Sequence, residues 1–525
     1  MKHIYVNLKR FEIPVELGGL NRLAPVSKWG EYIVTHTQEE LKKYDPQEVE
    51  FVQIYPESQI LKASEAKSEG SPIKIGGQGV YRMDAGRDGF GAFTTNCPAA
   101  SMAVMGVDTI VIGHCEERAD KLGVMQAAGV TDTAAVNRIL NEVDPHVIKM
   151  SALDYGFEAA FCGKKEINEM RVKHQCNIPW LILMDPTSAC NLHCTGCWAA
   201  EYGNRLNLSF EDMDRIVTQG KELGIYLYFF TGGEPLVRKD DIIRLCEKHD
   251  DCGFHAFTNG TLIDEKFCQE MKRVGNFSVA ISLEGFDEVN DLRRGKGVFD
   301  KVMHAMDLMK QYGLIFGTSI CYTSKNYKVV TSDEFLDMII EKGARFSWYF
   351  HYMPVGNDAA PELLPTPAQR RETYERIRKY RATKPLFAMD FQNDAEFVGG
   401  CIAGGRRYLH INANGDIDPC VFIHYSDSNI REKTLLEALQ SPMMMAYHDG
   451  QPFNDNMYRP CPMLENPQTL REMVEKSGAH STDLQSPESA EHLCAKCDRY
   501  AENWKPVAEE MWKEDQERKA AKKVC

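Results

Sequence analysis

From Trp180 onward, short apolar runs alternate with stretches in which apolar residues recur every three or four positions. The runs Leu181–Met184, Ile225–Phe230, Phe254–Phe257, Phe277–Ile281, Ile315–Tyr322 and Phe346–His351 predict buried strands. Between the first two, Ser209–Val217 has a capping serine, an acidic first turn and apolar residues at helical spacing, which predicts a helix. Strands alternating with helices imply a parallel sheet. Polar and glycine-rich segments (Thr231–Pro235, Thr258–Gly260, Ser282–Gly285) fall at the strands' C-terminal ends, where such sheets bind ligands. Upstream, Ile4–Lys9, Phe51–Tyr55, Ile73–Gly76 and Thr109–Ile112 predict a second α/β pattern. Downstream, Tyr408–Asn412 and Ile417–Cys420 flank an Asn-Gly turn and predict a β-hairpin. Residues 151–179 predict a helical connector. Met511–Lys523 predicts a mixed-charge helix with a solvated face.

Composition narrows the class. The 525 residues suffice for two to four domains. A net charge of −15 argues against nucleic acid and against a basic membrane-surface patch. No uncharged run reaches the roughly 18–20 residues that a bilayer span needs, and the first residues hold no long apolar segment of a secretory signal. The expected location is the cytoplasm. Seventeen cysteines is then a high count, and without an oxidising compartment it points to metal ligation or catalysis before disulfides. Cys246, Cys252, Cys268 and Cys321 lie singly in strand- or helix-like segments and are expected to be buried apolar residues. Cys162 and Cys176 have no partner spacing.

Two cysteine groups carry the candidate chemistry. Cys190, Cys194 and Cys197 form a C-x3-C-x2-C triplet just after a predicted strand. Three thiolates so placed can hold three irons of a [4Fe–4S] cube and leave the fourth open to a small molecule. Near the C-terminus, the hairpin can bring Cys401 and Cys420 to one end, and Cys461, Cys494 and Cys497 follow. Five thiols compete for four positions of one auxiliary cluster; a C-x2-C pair also suits zinc.

The triplet with Trp198 next to it, then Gly232-Gly-Glu-Pro235, then Ser282-x-Glu-Gly285 followed by Arg293-Arg-Gly295, occur in one order along residues 180–355. This set resembles the radical S-adenosylmethionine (radical SAM) superfamily. The resemblance implies an α/β fold, a partial (β/α)6 barrel with the cluster loop at its mouth. S-adenosylmethionine would chelate the open iron and be cleaved by one electron to a 5′-deoxyadenosyl radical. Gly232 and Gly233 would let backbone approach the ligand, Glu234, followed by Pro235, would offset its ammonium, and Ser282 and Glu284 would bond ribose hydroxyls or the amino group. Arg293 or Arg294 would take the carboxylate. Asn259 reads equally as a ligand or a turn residue. The C-x13-G-x4-C spacing of Cys401, Gly415 and Cys420 is similar to the opening of SPASM/twitch auxiliary-cluster domains. Here it departs from the fuller pattern, because only Cys525 follows Cys497, so one auxiliary [4Fe–4S] cluster is expected.

The domain organisation expected is a half (β/α) barrel over 1–150, the connector 151–179, a radical SAM core over 180–385, an auxiliary-cluster hairpin and helical domain over 386–505, and a charged tail over 506–525. The function expected is hydrogen abstraction from a substrate, with peptide or protein modification ahead of oxidation of a small molecule, lipid or cofactor precursor. An electron donor of flavodoxin or ferredoxin type is implied. No recognisable leader-peptide module precedes the core. Tyr349, His351 and Tyr352 either face substrate or belong to an aromatic barrel core. A different class, a non-catalytic iron–sulfur redox or metabolite-sensing protein, predicts cluster assembly without S-adenosylmethionine cleavage.

Asn7-Leu-Lys9, Gly91–Thr94 and Gly113–Arg118 together resemble the first half of triosephosphate isomerase, which would place Lys9 and His114 at a substrate site. No later segment resembles the loop carrying that family's Glu base, so proton abstraction next to a carbonyl has no agent and isomerase activity is not expected. A half barrel leaves two open edges, which predicts docking on the core or pairing with a second copy as a homodimer.

Overall fold

The computed structural model describes residues 2–7, 29–44, 49–55, 57–68, 71–78, 109–111, 132–199, 202–203 and 205–524. The chain forms two compact units, Met1–Gln126 and Ala127–Cys525. In the first, strands β1 (Lys2–Asn7), β2 (Val49–Tyr55), β3 (Ile73–Gln78) and β4 (Thr109–Val111) form a parallel sheet in sequence order. Helices Trp29–Leu41 and Glu57–Glu65 accompany it, and Val34, Tyr55, Ile60, Ile73 and Ile75 are fully buried in its core. Each of the four predicted strands is present. Lys9 and His114 lie outside the described residues.

The second unit is built on a nine-stranded sheet of order β11-β10-β9-β8-β7-β6-β5-β12-β13. Six parallel strands form its centre: β5 (Leu181–Met184), β6 (Leu227–Phe230), β7 (Gly253–Thr258), β8 (Phe277–Ser282), β9 (Phe316–Tyr322) and β10 (Phe346–His351). Helices cross between them as predicted. Phe210–Lys221 starts with a capping box in which Ser209 and Asp212 each bond the other's backbone, so two orphan amides at the helix start are satisfied. The sheet's two faces have different cores. On the helix side Tyr228, Phe230, Phe254, Val279, Ile281, Ile320 and Tyr349 pack with Met213, Ile216, Phe267 and Met306. On the inner side Leu183, Phe229, Phe257, Trp348 and Phe350 turn toward Phe422 and Tyr408. Helices Asp132–Glu142 and Pro145–Ser151 belong to this unit too. Arg138 donates to the carbonyls of Ile340, Ala344 and Pro385, and Asp144 N–H donates to Gly313 O.

Strand β11 (Phe387–Asp390) extends the sheet beyond β10. At the other edge β12 (Tyr408–Ile411) pairs in parallel with β5, and β13 (Ile417–Asp418) turns back on β12. The two edges approach each other, since Phe391, just past β11, lies 6.2 Å ring to ring from Tyr408. The cysteine-bearing C-terminal region therefore closes the open side of the partial barrel. Its last element is one 35-residue helix, Ala490–Val524, rather than a separate tail. Cys494 and Cys497 ride on its first turns, and further along Trp504, Ala508, Met511 and Asp515 are buried. Half of the charged tail is thus packed, because apolar Trp504, Ala508 and Met511 recur at helical spacing.

Two buried ionic groups tie this region to the core. Arg370, on helix Pro367–Thr383, pairs with Glu465 at 2.7 Å with both side chains wholly buried, and its guanidinium stacks on Trp504. His410 stands between two carboxylates. Its Nε2 is 2.9 Å from Asp185, and its Nδ1 is 3.3 Å from Asp418, off the line of a good hydrogen bond. Burial opposes the imidazolium, but Asp185 and Asp418 outweigh it and push His410 up to about 9. Burial also pushes Asp418 up, so the group shares one proton. We place it on His410, which two carboxylates flank.

Arg370→Met leaves Glu465 buried and uncompensated and should cost about 3–5 kcal/mol in urea denaturation, while Arg370→Met with Glu465→Leu recovers most of it. The His410 contribution is complete below the free imidazole value near 6.5 and fades as pH climbs through about 9. Melting temperature should therefore fall more steeply between pH 7 and 10 in the unsubstituted protein than in His410→Gln.

Candidate functional site

Strand β5 delivers the chain into the loop that carries Cys190, Cys194 and Cys197. The loop is held from three sides. Gly233 N–H donates to Thr187 O at 3.0 Å, and Glu234 N–H donates to Ala189 O at 2.8 Å. A Cβ on Gly233 would lie 2.3 Å from Ala189 O and 2.5 Å from Ser188 O, so only glycine lets the β6 end approach this closely. Asn259 Nδ2 donates to Asn191 Oδ1 at 2.8 Å from the end of β7. From helix Asp287–Arg294, Arg293 exchanges bonds with Thr195: its Nε donates to Thr195 O, and its O accepts from Thr195 N–H.

The three thiols are half-buried on this one loop. Burial pushes Cys190 up to about 11. Burial also raises Cys194, against the pull of Arg294 and Arg293. Among the described residues no three His, Cys, Asp or Glu side chains converge on one metal-ion position. A single tetrahedral zinc would draw its sulfurs to about 3.8 Å from one another, whereas thiolates of a cube each take a separate iron. A soft three-thiol set beside two guanidiniums fits the cluster.

The remaining motif residues surround the loop. Buried Glu284 accepts from Arg293 Nη1 and Arg294 Nη2, both at 2.6 Å, and Asn326 Nδ2 donates to its backbone carbonyl. The two arginines are thus fixed beside Cys194 with donors to spare for an anion. Ser282 is half-buried at the end of β8, opposite Ser319 of β9. Glu234 is wholly buried and accepts from Leu236 N–H, Thr258 Oγ1 and Asn259 N–H. Pro235 starts the short turn that Glu234 caps. These bonds give the glutamate a bracing part between β6 and β7. Asn191 and Asn326, which the motif pattern left out, complete the frame. Asn191's place inside the C-x3-C segment was the available signal.

Inside the barrel, Trp348 and Phe350 stack at 5.9 Å, and Phe257 meets them edge-on at 5.8 and 5.7 Å. All three are half-buried although they sit in central strands. Between β7 and β10, the intervening strands carry small side chains, Ala280 and Ser282 on β8 and Gly317 and Ser319 on β9. Phe350 continues to Phe422 at 6.4 Å, and Phe422 to Trp198 at 6.3 Å. Trp198 follows Cys197, and Phe422 is two residues past Cys420, so an aromatic row links the two cysteine sites. Alternation along β10 turns Tyr349 and His351 away from the inner face. Tyr349 faces the helix side and donates to Val330 O, and His351 bonds Tyr500. Tyr352, past the strand, accepts from Ala360 N–H. Cys246, Cys252 and Cys268 are buried as expected, while Cys321 is half-buried near Arg293.

The C-terminal thiols form a second group. Cys461 lies near Cys401 and Cys420, and Cys497 near Cys494. Burial pushes Cys420 up to about 11 and Cys401 and Cys494 up to about 12. Two tyrosines enter the group. Tyr408 Oη lies 2.7 Å from Cys420 Sγ, and the fully buried Tyr447 is near Cys401, Cys420, Cys461 and Cys494. Glu465, paired with Arg370, accepts the Cys461 N–H at 2.7 Å.

Comparison with known proteins agrees with this layout. Residues 184–351 match the radical SAM superfamily, residues 401–463 match the SPASM iron–sulfur cluster-binding domain, and residues 29–135 match triosephosphate isomerase. An AdoMet-dependent heme synthase of Methanosarcina barkeri is 23% identical over 290 residues, 50% of this chain and 82% of its own length. A mycofactocin maturase of Mycolicibacterium smegmatis is 28% identical over 264 residues, 46% of this chain and 64% of its own. Streptococcus suis SuiB bound to its precursor peptide SuiA superposes with a TM-score of 0.45 at 20% identity, over 56% of this chain and 69% of that one. No described helix is long and apolar enough to cross a membrane. The chain carries a radical SAM domain and a SPASM domain, which make it an enzyme whose cofactors are S-adenosylmethionine, the [4Fe–4S] cluster that binds it and an auxiliary iron–sulfur cluster.

Proposed function

We propose that this enzyme abstracts a hydrogen atom from a substrate seated in the aromatic lumen between its two cysteine sites. The observation that carries the reading is the row Trp198, Phe422, Phe350, Phe257: its first ring follows Cys197, its second lies two residues past Cys420, and the last two continue into the barrel. Cys190, Cys194 and Cys197 hold the cluster that supplies the electron for reductive cleavage of S-adenosylmethionine to a 5′-deoxyadenosyl radical. Arg293 and Arg294, steadied by Glu284, take the carboxylate. Ser282 bonds the sugar or amino group. Gly232, Gly233, Glu234, Pro235 and Asn259 hold the cysteine loop at the barrel mouth. The half-buried rings exclude water from the reacting carbon.

The substrate is a peptide or protein whose side chain enters the lumen, and the maturase relative supports this class. A second reading, a conjugated cofactor precursor, is favoured by the flat lining of Trp348 and Phe350 and by the heme synthase relative. Peptide or precursor labelled with deuterium would pass the label to 5′-deoxyadenosine only where it is the true substrate. Reducing equivalents come from a flavodoxin- or ferredoxin-type donor in the cytoplasm. The N-terminal unit is a scaffold that pairs with a second copy; a monomeric whole chain in light scattering would count against that pairing.

Anaerobic reconstitution should load roughly eight irons per chain, as two four-iron clusters require. Cys194→Ala should abolish 5′-deoxyadenosine formation under dithionite and keep about four irons. Cys420→Ala should lower iron content while leaving uncoupled cleavage. Loaded protein that never yields 5′-deoxyadenosine would overturn the reading.

A further inference from the structure

The Tyr447 hydroxyl is fully buried and has no hydrogen-bond partner among the described residues. Leaving a buried hydroxyl unpaired is costly, so its position needs an acceptor. Cys401, Cys420, Cys461 and Cys494 are among the groups whose charge bears on it. The ring cannot turn away. It packs against Gly404, where a Cβ would lie 2.2 Å from Tyr447 Cβ, and Phe453 meets it edge-on at 5.3 Å. Gly404 also has φ +63°, which a side chain rarely adopts. A second phenol, Tyr408, lies 2.7 Å from Cys420 Sγ, and toward a thiolate it can only donate.

We propose that Tyr447 and Tyr408 donate hydrogen bonds to the sulfurs of the auxiliary cluster, which is held by Cys401, Cys420, Cys461 and Cys494, and thereby raise its reduction potential. This rests on the placement of that cluster given above. Reduction adds negative charge to the sulfurs, so a donor bond strengthens in the reduced state and stabilises it. A cluster tuned upward is the better one-electron acceptor. Both tyrosines are positioning residues, and the potential is the readout that a merely structural part would leave unmoved. Cys494 rather than Cys497, both buried on the same helix, is proposed as the fourth ligand, and the single-cysteine variants decide between them.

The test uses the full chain with Cys190, Cys194 and Cys197 changed to Ala, so that only the auxiliary cluster remains. Reconstituted anaerobically, it should hold about four irons. Redox titration followed by electron paramagnetic resonance should then give a lower midpoint after Tyr447→Phe and after Tyr408→Phe, at unchanged iron. If Tyr447→Phe fails to hold iron, a lowered midpoint in Tyr408→Phe carries the result. Unchanged midpoints at full iron overturn this proposal alone, as does loss of iron from both variants. A triple variant that holds no iron overturns the cluster placement and the proposal together. Cys494→Ala should lose auxiliary iron and Cys497→Ala retain it; the reverse overturns the choice of fourth ligand.

Discussion

The parallel pairing of Tyr408–Ile411 with Leu181–Met184 is the contact on which the rest of the second unit depends. One strand leads directly into the Cys190 loop. Its neighbour carries the hairpin that presents Cys420. Four backbone registers therefore set the distance between two sites more than 200 residues apart in sequence. Asp185, at the end of one strand, and His410, inside the other, add a buried ion pair across the same seam. Removing either partner would leave the other buried without its counter-charge.

Closure of the barrel follows from that seam. A six-stranded parallel sheet has two free edges, each a liability. Here β11 extends one and β12 the other, and Phe391, Tyr408 and Phe422 meet where the edges approach. The inner face then carries the rings of β7 and β10, which meet over the small side chains of β8 and β9 between them. The same alternation that points Trp348 and Phe350 inward sends Tyr349 to the helix side, which is why neighbouring aromatics have different parts to play.

Charge in this unit is arranged in small closed groups: Glu284 with two arginines, Glu465 with Arg370, His410 with two aspartates. Each touches or adjoins a cysteine-bearing segment. Burial raises the cost of the thiolates that clusters require, and nearby guanidiniums and phenol or amide donors reduce it. Glu465 shows the economy of this arrangement, since one carboxylate both neutralises Arg370 and fixes the Cys461 backbone.

By itself the sequence determined the strands, their parallel order and the identity of the first cysteine loop, because period-2 and period-3.6 patterns and short motifs are local. The hairpin over Tyr408–Cys420 was legible for the same reason, through its Asn-Gly turn. Local pattern did not reveal that Gly233 serves the loop's backbone, that the C-x2-C pair rides on a helix continuous with the charged tail, or that the Tyr447 hydroxyl is buried without a partner among the described residues. Those facts depend on residues far apart in sequence sharing one volume. Only tertiary packing decides which buried groups meet, and which, like the Tyr447 hydroxyl, are left without a partner.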